Sequence, residues 1–273
     1  MSKTILITGA SSGIGKATAK HFQKNGWNVV ATMRSPEKEN ELNKLGNVLV
    51  TKLDVLDLES IDTALAEGIE KFETIDVVLN NAGYGLLGTF EAIKRESMLR
   101  QFAVNVQGLF DVTQKALPHF RKNKNGMFIN ISSVNGRLTF PFMTMYNSTK
   151  FAVEGFSETL RWELAEIGIK VKLVEPGAVA TDFSGRSMEM QNDPELTEYN
   201  AFLGSFMDAF TKAMDPSTMS TSETIAEVIY TAATDGTDTL RYLAGPDAEQ
   251  LIAARSSMKD SDFFAMLRTN FGF

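Results

Sequence analysis

The chain has 273 residues, 27 basic and 34 acidic, a formal net charge of −7, two histidines and no cysteine. The missing cysteine excludes a disulfide framework, a thiol nucleophile and a thiolate metal site, and the acidic balance argues against a nucleic-acid partner. A 43% apolar and 22% charged composition is that of a globular protein; no apolar run reaches the ~18 residues of a membrane span, and strand-like sequence begins at residue 4 without a leader, so a cytoplasmic protein is expected.

Residues 4–8 read as a buried strand, 13–25 as an amphipathic helix and 27–32 as a second strand. A helix is expected over 36–45, a third strand over 47–53, a helix over 58–72 and a fourth strand over 75–80. A long helix from about 96 to 120 leads to a fifth strand at 127–132, a second long helix at 145–167 and a sixth strand at 169–174. Strands too apolar to face water, alternating with amphipathic helices, imply an α/β fold: a doubly wound parallel sheet of the Rossmann type in three α/β/α layers.

After Glu175 the alternation stops. Residues 182–219 carry Phe183, Met188, Met190, Phe202, Phe206, Met207, Phe210 and Met214 with no strand pattern; a helix at 222–234 and a short strand at 241–244 follow. No linker or repeat divides the chain, so residues 1–273 are expected to form one dinucleotide-binding and catalytic domain, with a lid segment at about 182–219 and a short helical tail.

The first strand runs directly into Thr8-Gly9-Ala10-Ser11-Ser12-Gly13-Ile14-Gly15. Glycines there permit a tight turn and close approach of backbone N–H groups to a ligand, and the following helix N-terminus suits a pyrophosphate. A P-loop is excluded, because positions 10 and 17 are both alanine where its first glycine and magnesium-binding hydroxyl belong. Tyr146 and Lys150, four apart on a predicted helix, share one face. A free tyrosine titrates near ~10, too high for efficient acid–base work at neutral pH, and a nearby ammonium favours its phenolate. Ser133 ends the neighbouring strand, where parallel sheets place their sites. His21 and His119 read as surface residues, and no nucleophile elbow or zinc-binding spacing occurs.

Six motifs in register carry a resemblance to the short-chain dehydrogenase/reductase family. The glycine loop is its Thr-Gly-x-x-x-Gly-x-Gly pattern, and Asn80-Asn81-Ala82-Gly83 follows the fourth strand. Asn105 sits in Val104-Asn105-Val106-Gln107-Gly108; Ser133 precedes Tyr146 by 13 residues; Tyr146-x-x-x-Lys150 and Pro176-Gly177-Ala178-Val179-Ala180-Thr181 complete the set. The likeness is good over residues 3 to about 182 and loose beyond. Within the family the chain is similar to steroid-dehydrogenase-like members (17-beta-hydroxysteroid dehydrogenase type), which share the phrase Ala31-Thr32-Met33-Arg34 in general form.

The resemblance implies Tyr146 as acid/base, Ser133 holding the substrate oxygen, Lys150 gripping the nicotinamide ribose as well, and Asn105 supporting a water-linked proton relay. By itself Asn105 reads only as a polar residue inside a helix. The implied cofactor contacts are Gly9, Ser11, Ser12, Gly13, Ile14 and Gly15 in the loop, Asp54 and Val55 near the adenine, Asn81, Ala82 and Gly83 along the ribose side, and Pro176, Gly177, Val179 and Thr181 toward the carboxamide, with Tyr146 and Lys150. NAD users place an acid at the end of the second strand. Here Met33 occupies that place and Arg34 follows; a guanidinium there holds a 2′-phosphate by paired hydrogen bonds, which favours NADP (NADPH) over NAD.

The expected activity is hydride transfer between NADPH and a ketone or secondary alcohol, a carbonyl reductase or alcohol dehydrogenase. The alternatives are a catalytically silent nucleotide-sensing or interaction protein on the same scaffold, and an epimerase or dehydratase without net cofactor turnover. Expected partners are a small-molecule carbonyl or alcohol substrate, without metal, nucleic acid or membrane, and a second copy of the chain. Phe102, Val106, Leu109, Phe110 and Val112 give the first long helix more apolar positions than one buried face requires, so a homo-oligomer built on 96–120 and 145–167 is expected. The Phe and Met residues after Thr181, with Phe140, Phe142, Met143 and Met145, suggest a mobile lid over a bulky apolar substrate; Arg186 stands alone there as a group able to bind a substrate acid.

Overall fold

The computed structural model describes residues 2–181, 187–213, 215 and 219–272. In chain order, the first half supplies β1 (Thr4–Ile7), α1 (Gly13–Lys24), β2 (Asn28–Met33), β3 (Val48–Lys52), α2 (Leu58–Phe72), β4 (Val77–Asn80), β5 (Gly85–Gly88), α3 (Arg95–Phe102), α4 (Gly108–Asn123) and β6 (Gly126–Ile131). The second half supplies α5 (Thr144–Ala165), β7 (Ile169–Pro176), β8 (Val179–Ala180), β9 (Met188–Gln191), α6 (Asn200–Ala213), β10 (Ser220–Thr221), α7 (Ser222–Thr234), β11 (Arg241–Ala244), α8 (Pro246–Ser257) and α9 (Asp260–Phe271).

Seven strands form a parallel sheet in the order β11-β7-β6-β4-β1-β2-β3. The order reverses between β1 and β4, so a crevice opens beyond their carboxyl ends. Alternation along β1 divides the core between two faces. Ile5 and Ile7 pack with Ala19 and Phe22 of α1 and with Ile225 and Ile229 of α7. Leu6 faces the other way, into a cluster with Ile61 and Leu65 of α2 and with Val112 and Phe120 of α4. Phe22 and Phe120 are fully buried, each burial stabilising the fold by about 2 kcal/mol. This is the doubly wound three-layer α/β arrangement that the strand alternation predicts.

Four local expectations are corrected. Residues 36–45 form two single 3₁₀ turns, Pro36–Lys38 and Leu42–Lys44. The Glu39 carboxylate accepts the amides of Glu41 (2.8 Å) and Leu42 (3.0 Å), which a continuous helix would give to carbonyls. The long helix at 96–120 is divided into α3 and α4 by a π turn, Ala103–Gln107. Beyond Thr181 the chain does form a strand: β9 pairs in parallel with β5, Gly85 opposite Met188 and Gly88 opposite Gln191. The two histidines are half-buried, not surface groups. His119 Nε2 accepts the Ile75 amide at 3.1 Å, and burial lowers its pKa; His21 packs against the Tyr230 ring.

Candidate active site

The sheet's reversal point opens into a cleft of about 1130 Å³. Its floor begins at the glycine loop. Gly9 has φ +71°, a left-handed conformation that favours glycine. A Cβ at Gly15 would lie 2.4 Å from the Gly9 carbonyl oxygen and 2.6 Å from Asn81 Nδ2, so the first turn of α1 packs directly beneath the loop. Thr8 braces it from behind. Its hydroxyl accepts the amides of Asn81 (2.9 Å) and Ala82 (3.1 Å), while Asn81 Nδ2 donates to the Thr8 (2.9 Å) and Gly9 (3.2 Å) carbonyls. Ser12, the N-cap of α1, makes no side-chain cap bond to the helix. The result is a backbone cradle at a helix N-terminus, free of side chains at Gly9 and Gly15, which fits a pyrophosphate.

Past the cradle, Met33 is buried at 3% exposure and Arg34 is exposed on the cleft wall. Lys16 is held by Glu41 (2.7 Å) and Glu39 (3.3 Å), and Lys20 by Glu41 (2.6 Å). Arg34 and Lys38, which also lines the cleft, have no carboxylate partner among the described residues. The sequence reading missed Lys38, because it falls in the segment read as a plain helix. Asp54 and Val55 line the same end, Asp54 accepting the Leu56 amide at 3.0 Å.

At the cleft's centre, β6 delivers Ser133 and α5 delivers Tyr146 and Lys150, all buried and all on the cleft. Ser133 caps the turn Val134–Gly136 by accepting the Asn135 amide at 3.2 Å, and its hydroxyl reaches Asn135 Oδ1 (3.2 Å) and the Pro176 carbonyl (3.4 Å). Asn135 is tied to Asn147 Oδ1 at 2.6 Å, and Asn147 to the Phe140 carbonyl at 3.1 Å. Lys150 Nζ donates to the Ile131 carbonyl at 2.9 Å and lies 5.6 Å from the Tyr146 ring centre.

Burial pushes the Tyr146 phenol up to about 12, against a hydrogen bond with Ser133 that acts in the opposite sense. Burial likewise brings the Lys150 ammonium down to about 8, opposed by the charge of Glu154. The net direction for the phenol is upward because desolvation outweighs the groups that would favour the phenolate.

Eighteen of the expected site residues gather on this one cleft: Gly9, Ser11, Ser12, Gly13, Ile14, Arg34, Asp54, Val55, Asn81, Ala82, Gly83, Ser133, Tyr146, Lys150, Pro176, Gly177, Val179 and Thr181. Gly15 and Asn105 do not line it. Asn105, 3% exposed in the π turn, accepts the Tyr84 amide (3.0 Å) and donates to the Tyr84 carbonyl (2.8 Å) and Thr149 Oγ1 (3.2 Å). Its amide braces the loop after β4 against α5.

The opposite wall is apolar. Phe140, Met143, Met188, Phe206, Phe210 and Phe271 line it. Phe206 stacks with Phe210 (5.6 Å between ring centres) and meets Phe142 (5.3 Å) and Phe271 (5.5 Å). The expected lid residues divide: Met188, Phe206 and Phe210 reach the cleft, Phe202 packs on Phe142 at 4.8 Å, and Met190 is 45% exposed. Phe183, Arg186 and Met214 lie outside the described residues. The sequence reading missed the contribution of α8 and α9, which bring Leu251, Leu267, Asn270 and Phe271 to this wall. The signal was there: Phe263, Leu267 and Phe271 recur every fourth residue, a buried stripe.

Fold and site together define a dinucleotide-binding α/β protein with a tyrosine–lysine–serine cluster at the reversal point of its sheet. The chain belongs to the short chain dehydrogenase family, whose model matches residues 3–192. It is 40% identical over 240 residues to an uncharacterized oxidoreductase of Schizosaccharomyces pombe, covering 88% of this chain and 100% of that one. It is 37% identical over 210 residues to the 3-ketodihydrosphingosine reductase of Bacteroides thetaiotaomicron, covering 77% of this chain and 74% of that one. Among solved structures it is similar to ElxO with NADP bound, at 30% identity and a TM-score of 0.76, covering 92% of this chain and 100% of that one. No helix among the described residues is long and apolar enough to cross a membrane.

Proposed function

We propose that this oxidoreductase is an NADPH-dependent ketone reductase, acting as one dinucleotide-binding and catalytic domain on bulky apolar ketones. The observation that supports this best is the placement of Tyr146: a buried phenol, hydrogen-bonded to Ser133, between a phosphate cradle and a phenylalanine–methionine wall. NADPH, when bound, supplies the hydride. Gly9, Gly13 and the N-terminus of α1 would hold its pyrophosphate, Arg34 its 2′-phosphate and Lys150 its nicotinamide ribose. Ser133 Oγ holds the substrate carbonyl oxygen. Tyr146 donates its proton to that oxygen as negative charge develops there. The reverse reaction uses the same tyrosine as base. Asn105 acts at one remove, by holding Thr149 and so the helix that carries Tyr146 and Lys150.

The wall sets the substrate class. A surface of aromatic rings and methionine gains affinity with each buried carbon and offers few polar partners to a sugar. The name of the Bacteroides relative points to a ketone reductase too. The expected result of assaying NADPH consumption on ketones of graded size is a kcat/KM at least about tenfold higher for aryl or long-chain ketones than for acetone-sized or sugar-like carbonyls. Equal or reversed preference would sink the substrate reading. Absence of turnover with every ketone, despite tight NADPH binding, would favour a nucleotide-sensing role.

We also propose a homodimer through the helices of residues 96–120 and 145–167, on the exposed faces of α3 and α5. Leu99 and Phe102 of α3 are 53% and 36% exposed and Phe151 and Trp162 of α5 46% and 71%, whereas Val106, Leu109 and Val112 are buried. Phe110 packs on Phe156, ring centres 4.2 Å apart. Exposed apolar side chains on two helices are what a two-fold contact between copies would bury. Light scattering at micromolar concentration is expected to return about twice the chain mass of 30.1 kDa; a value near that of one chain would refute the dimer.

A further inference from the structure

Behind the Ser133–Tyr146–Lys150 cluster lie two buried carboxylates that the proposed reaction does not use. The Glu175 side chain, on β7 next to Pro176, is fully enclosed, and Glu154, one turn beyond Lys150 on α5, has its side chain 7% exposed. Both meet the same guanidinium: Arg241 Nε is 3.0 Å from Glu154 Oε2 and 3.1 Å from Glu175 Oε1. Arg137, which ends the turn that Ser133 opens, approaches Glu175 Oε2 at 3.5 Å. Four charged groups thus join the Ser133 turn, the Tyr146–Lys150 helix, and the strand whose Pro176 carbonyl accepts from Ser133.

Two carboxylate oxygens in this network are left without a donor. Arg241 Nε carries a single hydrogen and gives it to Glu154 Oε2, while Nη2 goes to Glu158 at 2.6 Å. Glu154 Oε1 and Glu175 Oε1 are both buried with no hydrogen-bond partner among the described residues. A buried carboxylate oxygen without a donor is costly. A proton on the Glu175 carboxyl removes its repulsion with Glu154 and lowers the cost of enclosing it.

We propose that Glu175 stays protonated beside the charge of Glu154 and that the two, clamped by Arg137 and Arg241, form the positioning network that fixes the Ser133 turn against the helix bearing Tyr146 and Lys150. The inference rests on the roles given above to those three residues. The charged groups facing Glu175 are Glu154 from α5, Arg137 from the Ser133 turn and Arg241 from β11; Lys150 is the further cation that Glu154 acts upon. Burial and the neighbouring charge of Glu154 push the Glu175 carboxyl up to about 7, against the two guanidiniums. Glu154 in turn resists the fall of the Lys150 ammonium, so the network also keeps that ammonium charged.

Two measurements test this. The first is Tm against pH for the full chain and for Glu175→Gln, which mimics the protonated carboxyl. A carboxyl raised in the folded state contributes stability that is complete below its unfolded value and is lost as pH rises through its folded value. The parent's Tm should therefore decline relative to that of Glu175→Gln between about pH 4.5 and 7. Parallel curves would overturn the protonated Glu175. If Glu175→Gln does not fold, Glu154→Gln carries the same test: with the like charge gone, the parent's decline should move to lower pH, and an unmoved decline would overturn the proposal. The second measurement is the pH profile of kcat. Glu154→Gln should move the alkaline limb down by about one pH unit, because Lys150 loses the charge that holds its proton. A purely structural role for Glu154 would lower stability and leave that limb in place, which would overturn the link to Lys150. If no ketone is reduced at all, the reaction reading falls, and the Tm comparison still decides the carboxyl pair.

Discussion

Tyr146→Phe is expected to lower kcat by about 10²–10⁴-fold while NADPH binding persists. The substitution keeps the ring, and with it the packing against Leu87 and Met143. It removes only the hydroxyl that meets Ser133. Burial pushes that phenol up to about 12, which favours its protonated form; in the proposed reaction the parent gives that proton to the substrate oxygen, and the variant has none to give. Single-turnover kinetics with NADPH fluorescence separate the two steps, since binding quenches or enhances the signal whether or not chemistry follows. Near-parental kcat in the variant would overturn the acid role of Tyr146.

Arg34→Ala is expected to raise the KM for NADPH by about 10- to 100-fold and to leave that for NADH nearly unchanged, the loss of one charge-assisted paired contact. The structure sharpens the reason. Glu39 and Glu41 occupy Lys16 and Lys20, so those lysines do not substitute for the lost guanidinium. Lys38, on the same wall, would leave residual NADPH preference, which Arg34→Ala combined with Lys38→Ala should remove. Equal damage to both cofactors would make Arg34 a structural residue and end the NADP assignment.

The chemistry-bearing half of the molecule was legible because its signals are local. A buried strand, a glycine turn and a helix N-terminus follow one another within residues 4–24, and Tyr146 and Lys150 are neighbours on one helix face. What escaped depended on distant partners. The short run Met188–Gln191 becomes a strand only because Gly85–Gly88 lies beside it, and two glycines and two leucines read locally as a loop. His119 follows Pro118 near a helix end, and nothing nearby in sequence announces that the Ile75 amide points at its ring. The raised phenol of Tyr146 is likewise a property of enclosure, which a spacing of four residues does not reveal.

The β5–β9 ladder has a consequence for how the molecule assembles. Its two strands stand about a hundred residues apart in the chain, and the cost of closing such a loop grows only with the logarithm of its length. The ladder is thus affordable at equilibrium yet late in time, since distant pairings form more slowly than local ones. A nascent chain that has emerged as far as Thr181 already holds Ser133, Tyr146, Lys150 and the glycine cradle, but it has no β9, α6 or α9 to enclose a ketone. The order of synthesis therefore separates most of the apolar wall from the rest of the cleft: the glycine cradle and the Ser133–Tyr146–Lys150 cluster are laid down first, with Phe140 and Met143, and Met188, Phe206, Phe210 and Phe271 are added last, by elements that share no backbone ladder with the central sheet.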